Sequence, residues 1–171
     1  MAYTIAQQMQ EIIGALKPAA QAHGGDAFVC SDLVHLWKQL FDKSNSEKVL
    51  LMYNGEQIRG EFGIAACLGR VDRQFIVVVS RGRGLTVERG TPLIDQNQNA
   101  DPMFTVVEGY RDIIRGLVTD PIWTEYPVDY IGIIPFPTGN PGLVVDAYQI
   151  QFSIGSQLQL IQGQPGALAN E

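Results

Sequence analysis

The sequence has few charged side chains and very few histidines and cysteines. Charged residues make up 18% of its 171 residues, whereas about 25% is usual for soluble domains. Because the only histidines are His23 and His35, a catalytic triad or a histidine-rich metal site has few possible members. Cys30 and Cys67 are too few for a disulfide framework and lack the C-x-x-C spacing of redox and zinc sites. We therefore expect no catalytic residues, no metal and no cofactor.

Basic charge and long apolar runs are also scarce. Twelve basic residues against 18 acidic ones give a net charge of −6, which argues against a nucleic-acid-binding protein, because such proteins are usually basic. No apolar run approaches the roughly 18 residues of a membrane span. The N-terminus lacks the basic and apolar regions of a signal peptide. We expect neither a membrane nor sequence-specific nucleic acid as a partner, and the cytoplasm as the site of synthesis and assembly.

The length favours one domain rather than two. We predict a single domain over residues 1–160. After this point the chain becomes rich in glycine, glutamine, proline and alanine, so residues 161–171 are predicted to form a flexible C-terminal tail.

Two segments have the apolar periodicity of amphipathic helices and clear end signals. The first helix is expected to begin after Thr4, a typical N-cap, and to end at Pro18, which has no backbone N–H. The other is expected to begin at Asp101 and Pro102 and to stop at 119–121. The apolar positions are Ile5, Met9, Ile12, Ile13 and Leu16 in the first helix and Phe104, Val107, Tyr110, Ile113, Ile114 and Leu117 in the other.

The segment 27–42 is ambiguous. Ser31 and Asp32 are suitable caps, and the apolar residues after them recur at helical spacing. We favour a helix, which would end at 44–46. Its apolar positions are Leu33, Leu36, Trp37, Leu40 and Phe41.

The middle of the chain has the pattern of strands. A short apolar run, 48–53, ends in Asn54-Gly55, which is a strong hairpin signal. Apolar and polar residues then alternate over 57–68, and 70–73 resembles a second turn. The run 74–80 is almost continuously apolar and β-branched, as in a strand that is covered on both faces. These features predict a three-stranded meander.

Two further strands are predicted near the C-terminus, over 128–135 and 143–154. The segment 137–142 between them is rich in proline, glycine and asparagine, so it is expected to join them as a hairpin. The predicted fold is therefore α+β, with a mainly antiparallel sheet packed against two or three helices.

Basic residues are concentrated in the middle of the chain and acidic residues predominate at its end. The eight arginines lie between Arg59 and Arg115, and no basic residue follows them. Such a distribution fits either solvated loops or complementary patches that meet between copies of the chain. On the second interpretation, the candidate residues of a subunit or partner interface are Arg70, Arg73, Arg81, Arg83 and Arg89.

Four segments, taken in order, resemble those of a known protein family. They are the apolar strand and turn 48–55, the strand and arginine-bearing loop 73–83, the helix segment 110–117 and the closing strand 147–153. With the elements around them they extend over residues 3–155. This order is similar to that of the tail terminator, or tail completion, proteins of long-tailed bacteriophages, especially those with contractile tails.

The resemblance implies a structural virion protein that assembles into a ring, of six subunits, at the end of the tail tube. There it would stop tube polymerisation and present a joining surface to the head. The implied partners are copies of the chain, the tail tube protein and the head–neck connector protein, and the implied location is the virion tail. The polar segment 81–99 would become ordered on assembly.

Two other hypotheses remain open. One is another neck or head-closure component, which its position in the particle would distinguish. The other is a small α/β ligand-binding or enzymatic domain, which would have to use carboxylates and arginines because histidine and cysteine are scarce.

Overall fold

The computed structural model describes residues 4–41, 47–59, 70–82, 102–117, 128–137 and 145–157. These residues form three helices and five strands, so the predicted α+β class is confirmed. In chain order the elements are α1 (Ile5–Ala22), β1 (Asp26–Cys30), α2 (Leu33–Phe41), β2 (Lys48–Arg59), β3 (Arg70–Gly82), α3 (Met103–Arg115), β4 (Asp129–Pro135) and β5 (Val145–Gln157).

The five strands form one sheet in the order β1-β2-β3-β5-β4. β1 pairs with β2 in parallel, and the other three pairs are antiparallel. The predicted meander and terminal hairpin correspond roughly to β2–β3 and β4–β5, and the pairing of β3 with β5 joins them. The sheet is therefore mainly antiparallel, as predicted.

The larger core lies between the sheet and the helices α1 and α3. Alternate residues of the strands point to this side and bury apolar side chains against the two helices. An aromatic row crosses the strands at its centre, where Phe75 lies 5.7 Å from Tyr53 and 5.6 Å from Phe152 between ring centroids. Each such residue buries a large apolar area, which makes this layer the main source of stability.

α2 covers the opposite face of the sheet. Leu36 and Leu40 are buried there against β2 and β3, and the Trp37 ring lies 5.3 Å from that of Phe136. Asp32 caps this helix by accepting a hydrogen bond from the His35 amide at 2.8 Å. The helix that was preferred for this ambiguous segment is thus confirmed, and so is its predicted cap.

The strand β1 was not predicted. This strand has only five residues, which are too few to show the alternation of apolar and polar side chains that indicates a strand. In the structure these residues lie beside β2, with Ala27 opposite Val49 and Phe28 opposite Leu50. β1, α2 and β2 thus form a β-α-β unit at one edge of the sheet.

The prediction that Pro18 ends the first helix is wrong, because α1 continues to Ala22. The start was predicted correctly: the Thr4 hydroxyl oxygen accepts a hydrogen bond from the Gln7 amide at 3.2 Å, and the Gln7 side-chain oxygen accepts one from the Thr4 amide at 2.9 Å. Leu16 and Ala20 are fully buried on either side of the proline. Their burial against the sheet offsets the hydrogen bond that proline cannot make.

The predicted turn at Asn54-Gly55 is also wrong, because β2 runs through it. Gly55 has φ +107 and marks a register shift in the pairing with β3, so the pair is a bulge within one long strand. The second predicted turn, 70–73, belongs to β3 and pairs with the end of β2. The remainder of the predicted strand 57–68 lies largely outside the described residues.

The helix α3 begins one residue later than predicted, with Pro102 as its N-cap, and ends at the C-cap Gly116. Its inner face carries Tyr110 and Ile114 as expected, whereas Phe104 is 42% exposed and packs beside Tyr148. The predicted stop at 119–121, the connection 137–142 beyond its first residue, most of the polar segment 81–99 and the C-terminal tail lie outside the described residues.

Candidate functional site

The side chain of Glu47 lies at the centre of a buried polar cluster on the α1/α3 side of the sheet. Its Oε2 accepts a hydrogen bond from Arg81 Nη2 at 2.7 Å, and its Oε1 accepts one from the Tyr110 hydroxyl. The same Oε1 lies 3.0 Å from His23 Nδ1. The Glu47 side chain is 1% exposed, so these contacts replace its lost hydration. We call these four residues the Glu47 cluster.

The backbone near Gly25 brings α1 and β2 close enough for the cluster to form. His23 is the C-cap of α1, and Gly24, at φ +75, redirects the chain toward β1. The Asp26 amide then donates to the carbonyl oxygen of Glu47 at 3.1 Å. A Cβ atom at Gly25 would collide with that carbonyl oxygen. The close approach therefore requires glycine at this position.

The hydrogen atoms of the cluster follow from its chemistry. Burial, and then the neighbouring Glu47 carboxylate, raise the pKa of the Tyr110 hydroxyl, so it stays protonated and donates. The Tyr110 ring meets that of His23 edge-on, with 6.3 Å between centroids. Because an ionised carboxylate only accepts, the His23 Nδ1 that faces Glu47 carries a hydrogen. The contact with Glu47 and the edge-on contact with Tyr110 therefore orient the imidazole.

A groove of about 150 Å³ lies between α1 and α3 beside this cluster. Its walls are mostly apolar, and two members of the Glu47 cluster contribute to them. The lining residues are Ala19, His23, Thr105, Val106, Gly109, Tyr110 and Ile113. The groove is a concave, mostly apolar feature among the described residues.

A second polar contact joins α1 to the sheet. Arg73 Nη1 donates to the side-chain oxygen of Gln8 at 2.9 Å, and Gln8 is fully buried although it is polar. Arg73 Nε also lies 3.6 Å from a carboxylate oxygen of Glu56, its cross-strand neighbour on β2. This arginine therefore helps to hold α1 and β2 against β3.

The arginines predicted to lie at an interface have different positions in the structure. Arg73 and Arg81 point toward α1 and α3 and bind partners within their own chain, with 12% and 17% of their side chains exposed. Arg70 begins β3. Arg83 and Arg89 lie outside the described residues. The interface role of the five stays a prediction, and the structure adds an intramolecular role for two of them.

The basic middle and the acidic end of the chain meet within one subunit. β3 pairs with β5, and Arg81 stands opposite Asp146 in the register. Asp146 is buried at this position. At this place the basic and the acidic region therefore lie side by side within one chain, and contacts between copies have to be argued from other surfaces.

The outermost strands, β1 and β4, are such surfaces. Within the described part of the chain, no strand pairs with the outer side of either. Each carries an apolar side chain that is 44% exposed, Val29 on β1 and Ile134 on β4. Leu33 and Val34, at the start of α2, are exposed as well. Open edges with apolar side chains are typical sites of pairing with another chain.

The thiol of Cys30 belongs to the core between the sheet and α2 rather than to the Glu47 cluster. The buried Cys30 thiol faces α2, and burial, followed by the charge of Asp32, raises its pKa to about 11. It is therefore protonated at neutral pH and is a poor nucleophile.

Across the described ranges, no three histidine, cysteine, aspartate or glutamate side chains group closely enough to hold a metal ion. None of the described helices combines the length and apolar character needed to cross a membrane.

Comparison with known proteins adds no family to these observations. A scan against protein-family models finds no match to the chain. A search of curated proteins finds no similar sequence.

No pattern in the sequence singles out Glu47. It follows a polar stretch and belongs to no motif, and its partners lie 24, 34 and 63 residues away along the chain. The one available signal was its position directly before a buried apolar strand, where a carboxylate either turns to solvent or needs partners.

Proposed function

We propose that the protein is a structural component of a phage virion. It forms a ring at the end of the tail tube, stops tube polymerisation and provides a surface for joining the head. The similarity of four sequence segments to tail terminators supports this function, and the arrangement of the sheet edges supports the ring.

The observation that carries the proposal is that the two outermost described strands have no neighbour on their outer side among the described residues, and that they differ from each other. β1 has a parallel neighbour and β4 an antiparallel one, and they carry different apolar side chains, Val29 and Ile134. Because the edges differ, the β1 edge of one copy can pair with the β4 edge of the next. Such head-to-tail contacts produce a closed ring when the rotation between copies closes.

The strand directions fit this pairing. β1, β2 and β5 run in one direction, and β3 and β4 run in the opposite direction. If neighbouring sheets keep the same orientation, the β1 edge of one copy and the β4 edge of another are antiparallel. Antiparallel pairing is the more stable arrangement and needs no crossover connection. The two strands also have similar lengths, five and seven residues.

Lysine substitutions at the two edges test the ring. Val29→Lys should block one edge and Ile134→Lys the other, because a charged side chain on an edge strand opposes pairing. Native mass spectrometry should show rings for the unmodified chain and none for either variant alone. An equimolar mixture should give dimers of one copy of each variant, since one unmodified contact remains between them.

Val34→Lys is the matched control. Val34 is also apolar and exposed, but it lies on α2 rather than on a strand edge. Rings should persist in this variant. Rings formed by both edge variants, or dimers formed by each variant with itself, would contradict head-to-tail pairing through the edges.

The tail function is tested by electron microscopy of tails assembled with and without the protein. Without it, tubes should grow beyond their normal length, and addition of the protein should cap them. Normal, terminated tubes in its absence would overturn the proposal. Antibody labelling at the portal, away from the tube end, would instead indicate another neck component.

A further inference from the structure

Val29 on β1 and Ile133 on β4 lie at the two ends of one apolar row that crosses the five strands. The paired residues of this row are Val29, Leu51, Val77, Ile150 and Ile133. The three inner residues are buried in the larger core, and Ile133 packs against that core. Val29 is paired with Leu51 and so points to the same face of the sheet, where it is 44% exposed. A second copy placed beside either edge would continue the row.

The backbone of β1 turns Ala27 and Val29 toward the outer edge. The Asp26 amide donates to the carbonyl oxygen of Glu47 at 3.1 Å, so it points to the β2 side. Because the N–H groups of successive strand residues point to opposite edges, those of Ala27 and Val29 point outward. The Ala27 amide donates to Oδ1 of its own neighbour Asp26 at 2.8 Å. Val29 is therefore the outward residue of β1 whose N–H is suited to pairing with another chain.

The backbone of β4 has a matching pattern. The Phe136 amide donates to the carbonyl oxygen of Ala147 on β5 at 2.9 Å. By the same alternation, Ile133 and Pro135 face away from β5. Proline has no backbone N–H, so Pro135 cannot donate. Of these two outward residues, Ile133 is the one that can both donate and accept.

One register of antiparallel pairing satisfies both patterns. Val29 of one copy opposite Ile133 of another lets these two residues exchange both hydrogen bonds. The same register places Ala27 opposite Pro135, so the two residues that have no amide to offer share one position. A shift by two residues would pair Val29 with Pro135 or Ile133 with Ala27, and neither pair can exchange both bonds. A shift by one residue would turn the apolar side chains to opposite faces.

The side chains on the α2 side of the sheet agree with this register, because it also places Phe28 opposite Ile134. Phe28 packs against the core under α2. Ile134 points to the same side, since its neighbour Ile133 points to the larger core, and it is 44% exposed. Each of the two apolar side chains would thus gain an apolar cross-strand partner.

We propose that β1 of one copy pairs with β4 of the next in this register, with Val29 opposite Ile133 and Phe28 opposite Ile134. The occupant of each edge is therefore a second copy of the chain. This inference rests on the proposed ring and specifies the contact that forms it. Phe28 and Ile134 form a pair that is not hydrogen-bonded, in which the Cα atoms are about 4.5 Å apart, a distance that a disulfide can span.

Disulfide cross-linking tests the register. A chain with Phe28→Cys and Ile134→Cys should give a ladder of covalent oligomers on a non-reducing gel after oxidation, because each copy can bond to the next. Val29→Cys with Ile133→Cys is a second pair, which should give the same ladder. All chains also carry Cys30→Ala and Cys67→Ser, so that only the introduced thiols react.

Phe28→Cys with Gly132→Cys is the matched control. Gly132 lies two residues before Ile134 and on the same face of the sheet, and a Cβ atom there would meet no described atom within 4 Å. In the proposed register it is a diagonal neighbour of Phe28, at about 7–8 Å, which is too far for a disulfide. This control should give no ladder.

Native mass spectrometry of the reduced chains separates the register from the ring. Rings together with ladders from the two proposed pairs alone would support both. Rings without these ladders, or an equal ladder from the control, would overturn the register and leave the ring. Ladders without rings would support the register and contradict closure. Absence of both rings and ladders would overturn both proposals.

Discussion

Glu47 connects side chains that are distant along the chain. It joins the end of α1, the strand β3 and the helix α3 through His23, Arg81 and Tyr110. Transfer of a carboxylate from water to the interior costs several kcal/mol. Such a group is tolerated because each of its oxygens accepts from a donor that the fold holds in place.

Glu47→Gln should lower the free energy of unfolding by about 2–4 kcal/mol, because it removes the charge that offsets Arg81 in a buried setting. Urea denaturation should show a lower midpoint with an unchanged slope. Glu108→Gln is the control. Glu108 also pairs with an arginine, Arg111, at 3.5 Å, but it is 58% exposed, so its loss should cost less than about 0.5 kcal/mol. Similar losses in the two variants would contradict a special role for Glu47.

For single residues, the sequence predicts the role of those whose partners are near along the chain and misses the role of those whose partners are far along it. Thr4 and Asp32 were recognised as caps because their partners are three residues away. Glu47 was missed because its partners meet it only after the sheet has formed. The interface prediction for Arg81 used the distribution of charge along the sequence, which could not reveal that a carboxylate of the same chain binds it.

The helix α1 contains a conflict between local preference and packing. Pro18 lies well inside it, where proline removes a backbone hydrogen bond and crowds the preceding turn. The helix nevertheless continues, since its last turn supplies Ala20 to the core and His23 to the Glu47 cluster. Tertiary contacts thus decide where this helix ends.

Pro18→Ala should raise the free energy of unfolding by about 1–3 kcal/mol, because it restores a backbone donor and relieves the crowding. Thermal and urea denaturation both measure this change. Pro102→Ala is the control, because Pro102 is the N-cap of α3, where no intrahelical donor is required. It should change stability by less than about 0.5 kcal/mol. A destabilised Pro18→Ala variant would mean that the proline has a packing role of its own.

Helices and strands with a long apolar periodicity were predicted from the sequence, whereas the strand that depends on pairing with a distant segment was missed. α3 and β5 show repeated apolar positions over thirteen residues each, and both were found. β1 has five residues and exists because β2 lies beside it. Asn54-Gly55 has the chemistry of a hairpin turn, but the pairing of β2 with β3 on both sides converts it into a bulge.

At the scale of the whole sheet, the described strands form a protected centre and two edges that have no outer neighbour among them. β3 and β5 lie inside the sheet with neighbours on both sides, whereas β1 and β4 have one neighbour each among the described strands. The core on the α1/α3 side extends over nearly the whole sheet. Local opening should therefore start at the edges and reach the centre last.

Hydrogen exchange at two protein concentrations should show this difference. In dilute solution, amides of β1 and β4 should exchange much faster than those of β3. If the edges pair between copies, higher concentration should slow exchange in both β1 and β4 and leave β3 unchanged. Protection of one edge alone would contradict head-to-tail pairing.

The pairing of β3 with β5 also determines the order in which the sheet can be completed during synthesis. Arg70 pairs with Gln157, so the partners at this end of the ladder are separated by about half of the chain. Until β5 emerges from the ribosome, β3 is itself an edge strand among the described strands and exposes its β-branched run 76–79. Such a nascent chain has the features that promote aggregation. A message truncated before the end of β5 would therefore yield an insoluble product rather than a smaller folded protein.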